Sequence, residues 1–377
     1  MESKEQKNAR SVIRHFSPAW YAAVMGTGGL VNALALFGNQ AEWLRPGAVA
    51  LFWLNVVLFV VFIVPWTLRW LVHFDRLRED LRHPVMSNFF VTMPVGALVL
   101  GTNFLGIGRA FFSMPFIAGL SLTLWIISIV LILFFGVAVI YNLLLKENLQ
   151  PEQVNFSWFI TPVASIVVPL LGNPLAKYWL GIDPATARLI NLLDIGFFGI
   201  GLFLFLIIGA VVFYSLLHHK LPHSSMAPTF WILLGPIGVG TISLLGIADV
   251  SKALGMLGDV GGLQIAALAL WGFGLWAFTL TIALTLKYLK SGGIPFTLSW
   301  WAFIFPLGAY TLASYQVAGM TQLSAVFVYA VLLLLLLVVL WVTVTIRSLM
   351  ALFGGGLLVP KAGQGPAKAS PAPVKGA

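Results

Sequence analysis

The sequence contains no cysteine, and only 9% of its 377 residues are charged. The lack of cysteine excludes disulfides, thiolate chemistry and cysteine-ligated metals. A soluble protein carries about 25% charged residues. With 60% hydrophobic residues and a mean hydropathy of +0.98, the chain is predicted to be a polytopic membrane protein, and a soluble enzyme is excluded.

Acidic residues are scarce as well, and Asp194 is the one candidate within an apolar segment, close to the start of the sixth. A carboxylate near the start of a membrane helix is usually structural, although a role in transport is the alternative. No ring of Asp or Glu can be assembled, which argues against a cation channel. An intramembrane enzyme would need convergent His, Asp, Glu or Cys groups, so no catalytic residue, cofactor or metal is expected.

Ten apolar segments are long enough to cross a bilayer as helices. They cover residues 18–37, 46–68, 87–106, 116–145, 156–176, 189–217, 227–248, 261–286, 296–319 and 323–346. The polar residues 1–14 show no cleaved signal peptide and are expected to be a cytoplasmic segment. We expect one transmembrane domain over residues 15–352 and a disordered cytoplasmic tail over 353–377, rich in Gly, Pro, Ala and Lys.

A bend pattern recurs in alternate segments, in which aromatic residues precede a proline and a small residue follows it. The bend position is Gly26 in the first segment and Pro94, Pro162, Pro236 and Pro306 in the others. Successive bend positions are 68, 68, 74 and 70 residues apart, about the length of a hairpin that crosses a membrane and returns. A period of this kind predicts an internal repeat.

The repeat predicts an all-α fold of five two-helix hairpins. The five odd helices run in the same direction and form an inner ring around a pore, and the five even helices form an outer, lipid-facing ring. Proline should kink or break each odd helix near the bilayer midplane. The residue before each bend position is then expected at one level of the pore: Met25, Met93, Thr161, Gly235 and Phe305.

Phe305 is the bulkiest of these five residues and is predicted to plug the pore, although an aromatic in a membrane helix is more often a packing residue. Broken helices would offer backbone N–H groups and positive helix ends to a permeant ion, which favours anions. Hydroxyls at Thr241 and Thr311 are expected to contribute to the polar lining. The remaining candidate lining and bend residues are Gly26, Thr27, Gly28, Pro94, Gly96, Thr161, Pro162, Ser165, Pro236, Gly238, Pro306 and Gly308.

The basic residues are distributed asymmetrically between the loops. If both termini lie on one side, sixteen of the 21 Lys and Arg residues lie there, and the positive-inside rule makes that side the cytoplasm. We therefore expect an integral protein of the plasma or cell inner membrane. The net charge of +9 then reflects topology and contact with lipid headgroups, and no nucleic-acid partner is needed.

Three polar or glycine-rich stretches have an ordinary interpretation beside a functional one. The imidazoles of His218, His219 and His223 would suit a metal, but a solvated loop is favoured since no carboxylate accompanies them. The arginines between residues 69 and 82 would gather anions at the inner mouth, but a topology signal is favoured. Residues 25–29 do not form a phosphate-binding loop, because they follow no strand and lack its lysine.

Two motifs resemble the tellurite-resistance/dicarboxylate transporter family, which includes plant slow anion channels, fungal malate permeases and sulfite pumps. They are the run of residues 15–29, HFSPAWYAAVMGTGG, and the run of residues 300–308, WWAFIFPLG. The resemblance implies a homotrimer in which each ten-helix protomer has its own pore, closed by a phenylalanine that the second motif places at Phe305. It leaves the substrate open, because channels and coupled carriers share this fold.

The sequence thus favours channel-like transport of small inorganic anions, malate-like C4-dicarboxylates or sulfite. A proton-coupled carrier for the same anions is the alternative, although coupling usually needs a titratable residue within the membrane. A receptor or a purely structural protein would leave the repeated bends without a purpose.

Overall fold

A computed structural model describes residues 11–353, which are mostly helical and contain no strand in that range. Residues 1–10 and 354–377, with most of the predicted tail, lie outside the described residues. Ten long helices follow one another: α1 (Tyr21–Phe37), α2 (Arg45–Val72), α3 (Thr92–Gly106), α4 (Met114–Leu144), α5 (Ile160–Leu180), α6 (Pro184–His218), α7 (Leu234–Ala253), α8 (Gly261–Lys290), α9 (Ile304–Thr321) and α10 (Ser324–Phe353). A short amphipathic helix, Phe74–Arg82, follows α2.

Each odd helix continues a 3-10 segment that enters it from the amino-terminal side. These segments are Pro18–Trp20, Met86–Val91, Phe156–Phe159, Ser224–Leu233 and Leu298–Phe303. The bend prolines are the third residues of α3, α5, α7 and α9. A proline ring clashes with the carbonyl four residues earlier in an α-helix, and a 3-10 turn moves that carbonyl away.

The predicted breaks are therefore changes of helical pitch. The first α-helical N–H of α5, on Ile160, donates to the carbonyl of Ser157, and that of α9, on Ile304, donates to the carbonyl of Trp301. The expectation that broken helices present free N–H groups to an ion is thus corrected, because these donors are used within the turn. Gly26 differs from the prolines, since it lies in the second turn of a regular α1.

At or just before the start of each of these five 3-10 segments, a side chain accepts a backbone N–H two or three residues ahead. Such local bonds favour a turn over a regular α-helical start. The capping atoms are Ser17 Oγ, His83 Nδ1, Asn155 Oδ1, His223 Nδ1 and Thr297 Oγ1.

The odd helices close a ring in the order α1, α3, α5, α7, α9 and back to α1, each packed against two other odd helices. Glycine allows the closest approach in this ring. A Cβ on Gly238 of α7 would lie 2.5 Å from the backbone N of Tyr310 in α9, and one on Gly308 would lie 3.7 Å from the backbone of Gly29 in α1.

The even helices surround this ring, and each packs against its own odd partner. Each of them also contacts the next odd helix around the ring: α2 contacts α3, α4 contacts α5, α6 contacts α7, α8 contacts α9 and α10 contacts α1. Large apolar side chains on their outer faces are exposed, including Val60, Val137, Phe203 and Leu335. Because such a surface needs a lipid solvent, the predicted polytopic membrane fold is confirmed, with its inner and outer rings.

Nine helical segments of the described chain are long and apolar enough to cross a bilayer. The helix that is not among them is α9, whose polar residues include Thr311, Ser314 and Gln316. It nevertheless holds the fifth place in the inner ring.

Candidate functional site

Two cavities lie along the axis of the inner ring, at opposite ends of the odd helices. The wide cavity, at the carboxyl-terminal ends, has a volume of about 740 Å³. All five odd helices line it, and each contributes a polar residue. In the order α1, α3, α5, α7 and α9 these are Asn32, Thr102, Asn173, Asp249 and Gln316.

The narrow cavity, at the amino-terminal ends, has a volume of about 50 Å³ and is mainly apolar. Each odd helix or its 3-10 segment contributes to the lining, with Met25, Thr92, Val163, Ile232 and Ala302 as examples in chain order. Its few hydroxyls, on Thr92, Thr229 and Ser299, donate to backbone carbonyl oxygens over 2.6–2.8 Å. This end of the axis therefore offers a permeant ion little polar contact.

Phe305 lies between the two cavities. Its side chain lines the narrow cavity and also a void of about 10 Å³ on its other side. That void shares Asn32, Leu170, Ile242 and Leu312 with the wide cavity. The ring packs over Gly29, where an added Cβ would be 3.8 Å from it, and the residue is only 5% exposed.

The lining residues follow one face of each helix. In α1 they recur at the i, i+3, i+7 spacing of a helical stripe, and so do those of α9 with its 3-10 segment. The stripe on α1 consists of Ala22, Met25, Gly29, Asn32 and Leu36. The stripe on α9 and its 3-10 segment consists of Ala302, Phe305, Ala309, Leu312 and Gln316.

The residues that precede the bend positions are only partly at one level. Met25, Gly235 and Phe305 line the narrow cavity. From α3 and α5 the lining residues at this level are Thr92 and Ile160, one position earlier than the repeat predicts. A shift of one residue is a rotation of about 100° around the helix axis, so the five units are related but not identical.

A comparison of the sequence with known families identifies the chain. The profile of the SLAC1 family, described as voltage-dependent anion channels, matches residues 15–349. The chain belongs to the SLAC1 family. This confirms the resemblance that the two motifs carry.

Relatives of this SLAC1-family chain are named as transporters. An uncharacterized transporter of Methanocaldococcus jannaschii is 40% identical over 84% of this chain and 87% of its own length. A sulfite efflux pump of Trichophyton rubrum is 26% identical over 84% of this chain and 85% of its own length. A malic acid transport protein of Schizosaccharomyces pombe is 20% identical over 92% of this chain and 81% of its own length.

Four of the five hydroxyls predicted to line the pore of this SLAC1-family chain hydrogen bond to protein groups. Thr27 accepts from Trp341 Nε1 of α10 over 3.1 Å, and Thr161 donates to Asn88 Oδ1 over 2.8 Å. Thr241 and Thr311 donate to carbonyls of their own helices, and Ser165 is buried in α5. A role of these residues in a pore stays a prediction.

The predicted small and proline residues lie mostly at helix contacts. Added Cβ atoms on Gly26, Gly28 and Gly96 would meet side chains of α9, α3 and α1 respectively. Pro306 lines the narrow cavity, the carbonyl of Pro94 accepts from Ser128 over 2.9 Å, and that of Pro162 faces Gly201. Gly238 and Gly308 lie at the contacts between odd helices described above. Pro236 is the third residue of α7.

A cluster of three asparagines is the main feature of the site that the sequence reasoning missed. Asn55 donates to Asn103, Asn103 donates to Asn32 over 2.7 Å, and Asn32 donates to Thr102 over 2.7 Å. The chain of bonds fixes Asn32 in the wall of both the wide cavity and the void beside Phe305. Three amides within otherwise apolar spans were the available signal.

Asp194 is buried away from the axis. One carboxylate oxygen accepts from Trp125 Nε1 over 3.3 Å, while Oδ2 has no hydrogen-bond partner within residues 11–353. The carboxylate lies against Gly172 of α5, where an added Cβ would be 2.0 Å from it. The residue thus lies between the inner and outer rings.

The polar loops also hold structural contacts. The buried Arg69 donates to the carbonyl of Phe16 over 2.9 Å and forms an ion pair with Asp80, which ties α2 to the segment before α1. His218 bonds to the carbonyl of Tyr214 over 2.9 Å. These contacts support the ordinary interpretation of both residues.

Proposed function

We propose that this chain conducts small anions along the axis of the inner ring, with Phe305 as the gate. The observation that carries the proposal is the position of Phe305 between the narrow cavity and the void that joins the wide cavity. An aromatic ring in an apolar constriction excludes water and hence ions, and it can open by a change of rotamer.

The charges along the axis favour anions over cations. The wide cavity is lined by Arg109 and Lys177 and by one acid, Asp249. The relatives named for sulfite and malic acid carry anionic substrates. Small inorganic anions, C4-dicarboxylates and sulfite are therefore the proposed permeant class.

The arrangement in the membrane is part of the proposal. We place all ten long helices across the bilayer, including α9 because of its place in the ring, and both chain ends in the cytoplasm on the positive-inside rule. The narrow cavity then faces the cytoplasm. A homotrimer in the plasma or cell inner membrane rests on the family resemblance.

A second candidate is a proton-coupled carrier of the same anions, which the buried Asp194 favours. Ionisable groups inside a membrane often take part in proton coupling. In liposomes with an imposed anion gradient, flux that follows voltage and ignores a pH gradient supports the channel. Accumulation of anion against its gradient, driven by protons and lost in Asp194→Asn, supports the carrier.

Replacement of Phe305 by alanine tests the gate. We expect Phe305→Ala to raise anion flux into liposomes by about tenfold or more, since the removed side chain is worth about 1.5–3 kcal/mol of apolar contact. The matched control is Phe303→Ala, which removes a ring from the same region that packs off the axis on Trp231 and Trp300. Unchanged flux in well-folded Phe305→Ala protein, or an equal rise in Phe303→Ala, would contradict the gate.

A further inference from the structure

The wide cavity carries charge, while the narrow cavity does not. Among its described lining residues the charged ones are Arg109, Lys177 and Asp249, with a net charge of +1. The residues that line the narrow cavity are all uncharged. An anion would therefore meet fixed positive charge at one end of the axis only.

Lys177 is held by a partner that it can leave easily. Its Nζ lies 3.4 Å from Asp249 Oδ2, and the two side chains are 53% and 60% exposed. Exposed ion pairs of this kind contribute little to stability. Lys177 can thus turn from Asp249 to another anion in the cavity at small cost, and Asp249 competes with that anion.

Arg109 is oriented by the end of α3. Its Nε donates to the carbonyls of Leu105, over 3.1 Å, and Gly106, over 3.0 Å. The two terminal nitrogens of the guanidinium have no hydrogen-bond partner among residues 11–353. A guanidinium fixed in this way presents two parallel donors, which match a carboxylate or a similar pair of oxygens.

We propose that the wide cavity is a capture site for a small oxyanion, which Arg109 and Lys177 bind in competition with Asp249. The inference rests on the proposed function and adds the residues that bind the anion and the end of the axis at which it is collected. At about 740 Å³ the cavity has room for a C4-dicarboxylate or for sulfite with water. Chloride, which lacks a pair of oxygens, should gain less from the Arg109 fork.

A structural role for the same cations makes a different prediction. Arg109 follows the last turn of α3 and Lys177 lies in the last turn of α5, where positive charge stabilises a helix end. If that were their whole role, substitution would lower thermal stability and leave the KM for transport unchanged.

The experiment measures initial uptake of malate and of sulfite into oriented proteoliposomes, with anion added on the side of the wide cavity. Arg109→Gln and Lys177→Gln should each raise KM about fivefold to tenfold, with little change in the rate at saturation. Asp249→Asn should lower KM about twofold to fivefold, because it removes the competitor. The control is Lys252→Gln, a basic residue at the same end of α7 that does not line the cavity.

A binding measurement separates this inference from the proposed function. Calorimetric titration of malate into the solubilised protein should show binding that Arg109→Gln weakens by a similar factor, whether or not flux occurs. The capture site is contradicted if Phe305→Ala protein conducts anions but malate and sulfite do not bind, or if Asp249→Asn raises KM. Neither result contradicts the proposed anion channel. If malate binds as expected and neither wild type nor Phe305→Ala conducts, the proposed function is the one that fails.

Discussion

At the scale of single residues, His83 is a cap whose bond depends on protonation. Its Nδ1 accepts the N–H groups of Val85 and Met86 over 3.2 Å, ahead of α3. Partial burial, and then the positive charge of Lys146, lower the pKa of His83 below its usual value. Both causes favour the neutral imidazole, which is the form that accepts a bond at Nδ1.

This cap should make stability depend on pH. Because the folded pKa is lowered, the contribution of His83 is fully present above the unfolded pKa of about 6.5 and is lost as pH falls through the folded value. We expect His83→Asn, which can cap without titrating, to make the decrease in stability between pH 7.5 and pH 5 smaller than in wild type. Thermal unfolding of both proteins in detergent at the two pH values measures this difference, and parallel curves would contradict the cap.

Residue scale also marks the limit of what the sequence could predict. The motif that contains Phe305 predicted a residue on the axis, where the structure places it. The sequence did not predict that the hydroxyls of Thr27 and Thr161 would hydrogen bond to Trp341 and Asn88. Odd helices are buried on nearly all sides, so their sequence has no polar face that would mark the direction of a lumen. The rotation of each helix is instead set by its neighbours, as with the shift from Thr161 to Ile160 at the narrow cavity.

At the scale of elements, the contact between α7 and α9 is closer than that between α9 and α1. A Cβ on Gly238 would lie 2.5 Å from the backbone N of Tyr310, which no side-chain movement can relieve. A Cβ on Gly308 would meet its nearest neighbour, a side-chain atom of Leu337, at 3.6 Å, an ordinary contact. The two glycines therefore tolerate alanine differently.

We expect Gly238→Ala to destabilise the protein by about 1–3 kcal/mol, the usual effect of overpacking. Gly308→Ala is the matched control and should stay within about 0.5 kcal/mol of wild type. Thermal unfolding in detergent compares the three proteins. Equal stabilities for both variants would show that α7 and α9 do not approach as described.

Element order was predictable because the bend prolines repeat along the chain. Pro94, Pro162, Pro236 and Pro306 each mark an odd helix, and the structure begins an α-helix two residues before each of them. What the spacing could not give is the form of the bend. A helix break and a 3-10 turn have the same sequence signature. Which of the two forms depends on whether the first backbone N–H groups of the α-helix have acceptors, as the N–H of Ile304 has in the carbonyl of Trp301.

At the scale of the whole molecule, five helix pairs close a ring with two cavities on its axis. Closure follows from the repeat, because five similar hairpins that pack in order bring α9 back to α1. The unequal cavities do not follow from it, since they depend on side chains that differ between repeats. Arg109, Lys177 and Asp249 lie at one end and only uncharged residues line the other.

The absence of native cysteine allows the central claim to be tested by single-cysteine accessibility. Ala309 lines the void next to Phe305, whereas Ala313, one turn further along α9, is fully buried and is not among the residues that line the axial cavities. Ala302 lies on the opposite side of Phe305, in the narrow cavity. All three substitutions replace alanine by cysteine and are matched in size.

The decisive measurement is the rate at which an anionic methanethiosulfonate, added on the side of the wide cavity, modifies these cysteines in wild-type and Phe305→Ala backgrounds. We predict that Ala309→Cys reacts and Ala313→Cys does not, and that Ala302→Cys reacts only when Phe305 is alanine. Protection of Ala302→Cys in both backgrounds, or equal reaction at Ala309→Cys and Ala313→Cys, would contradict a gated anion pathway along this axis.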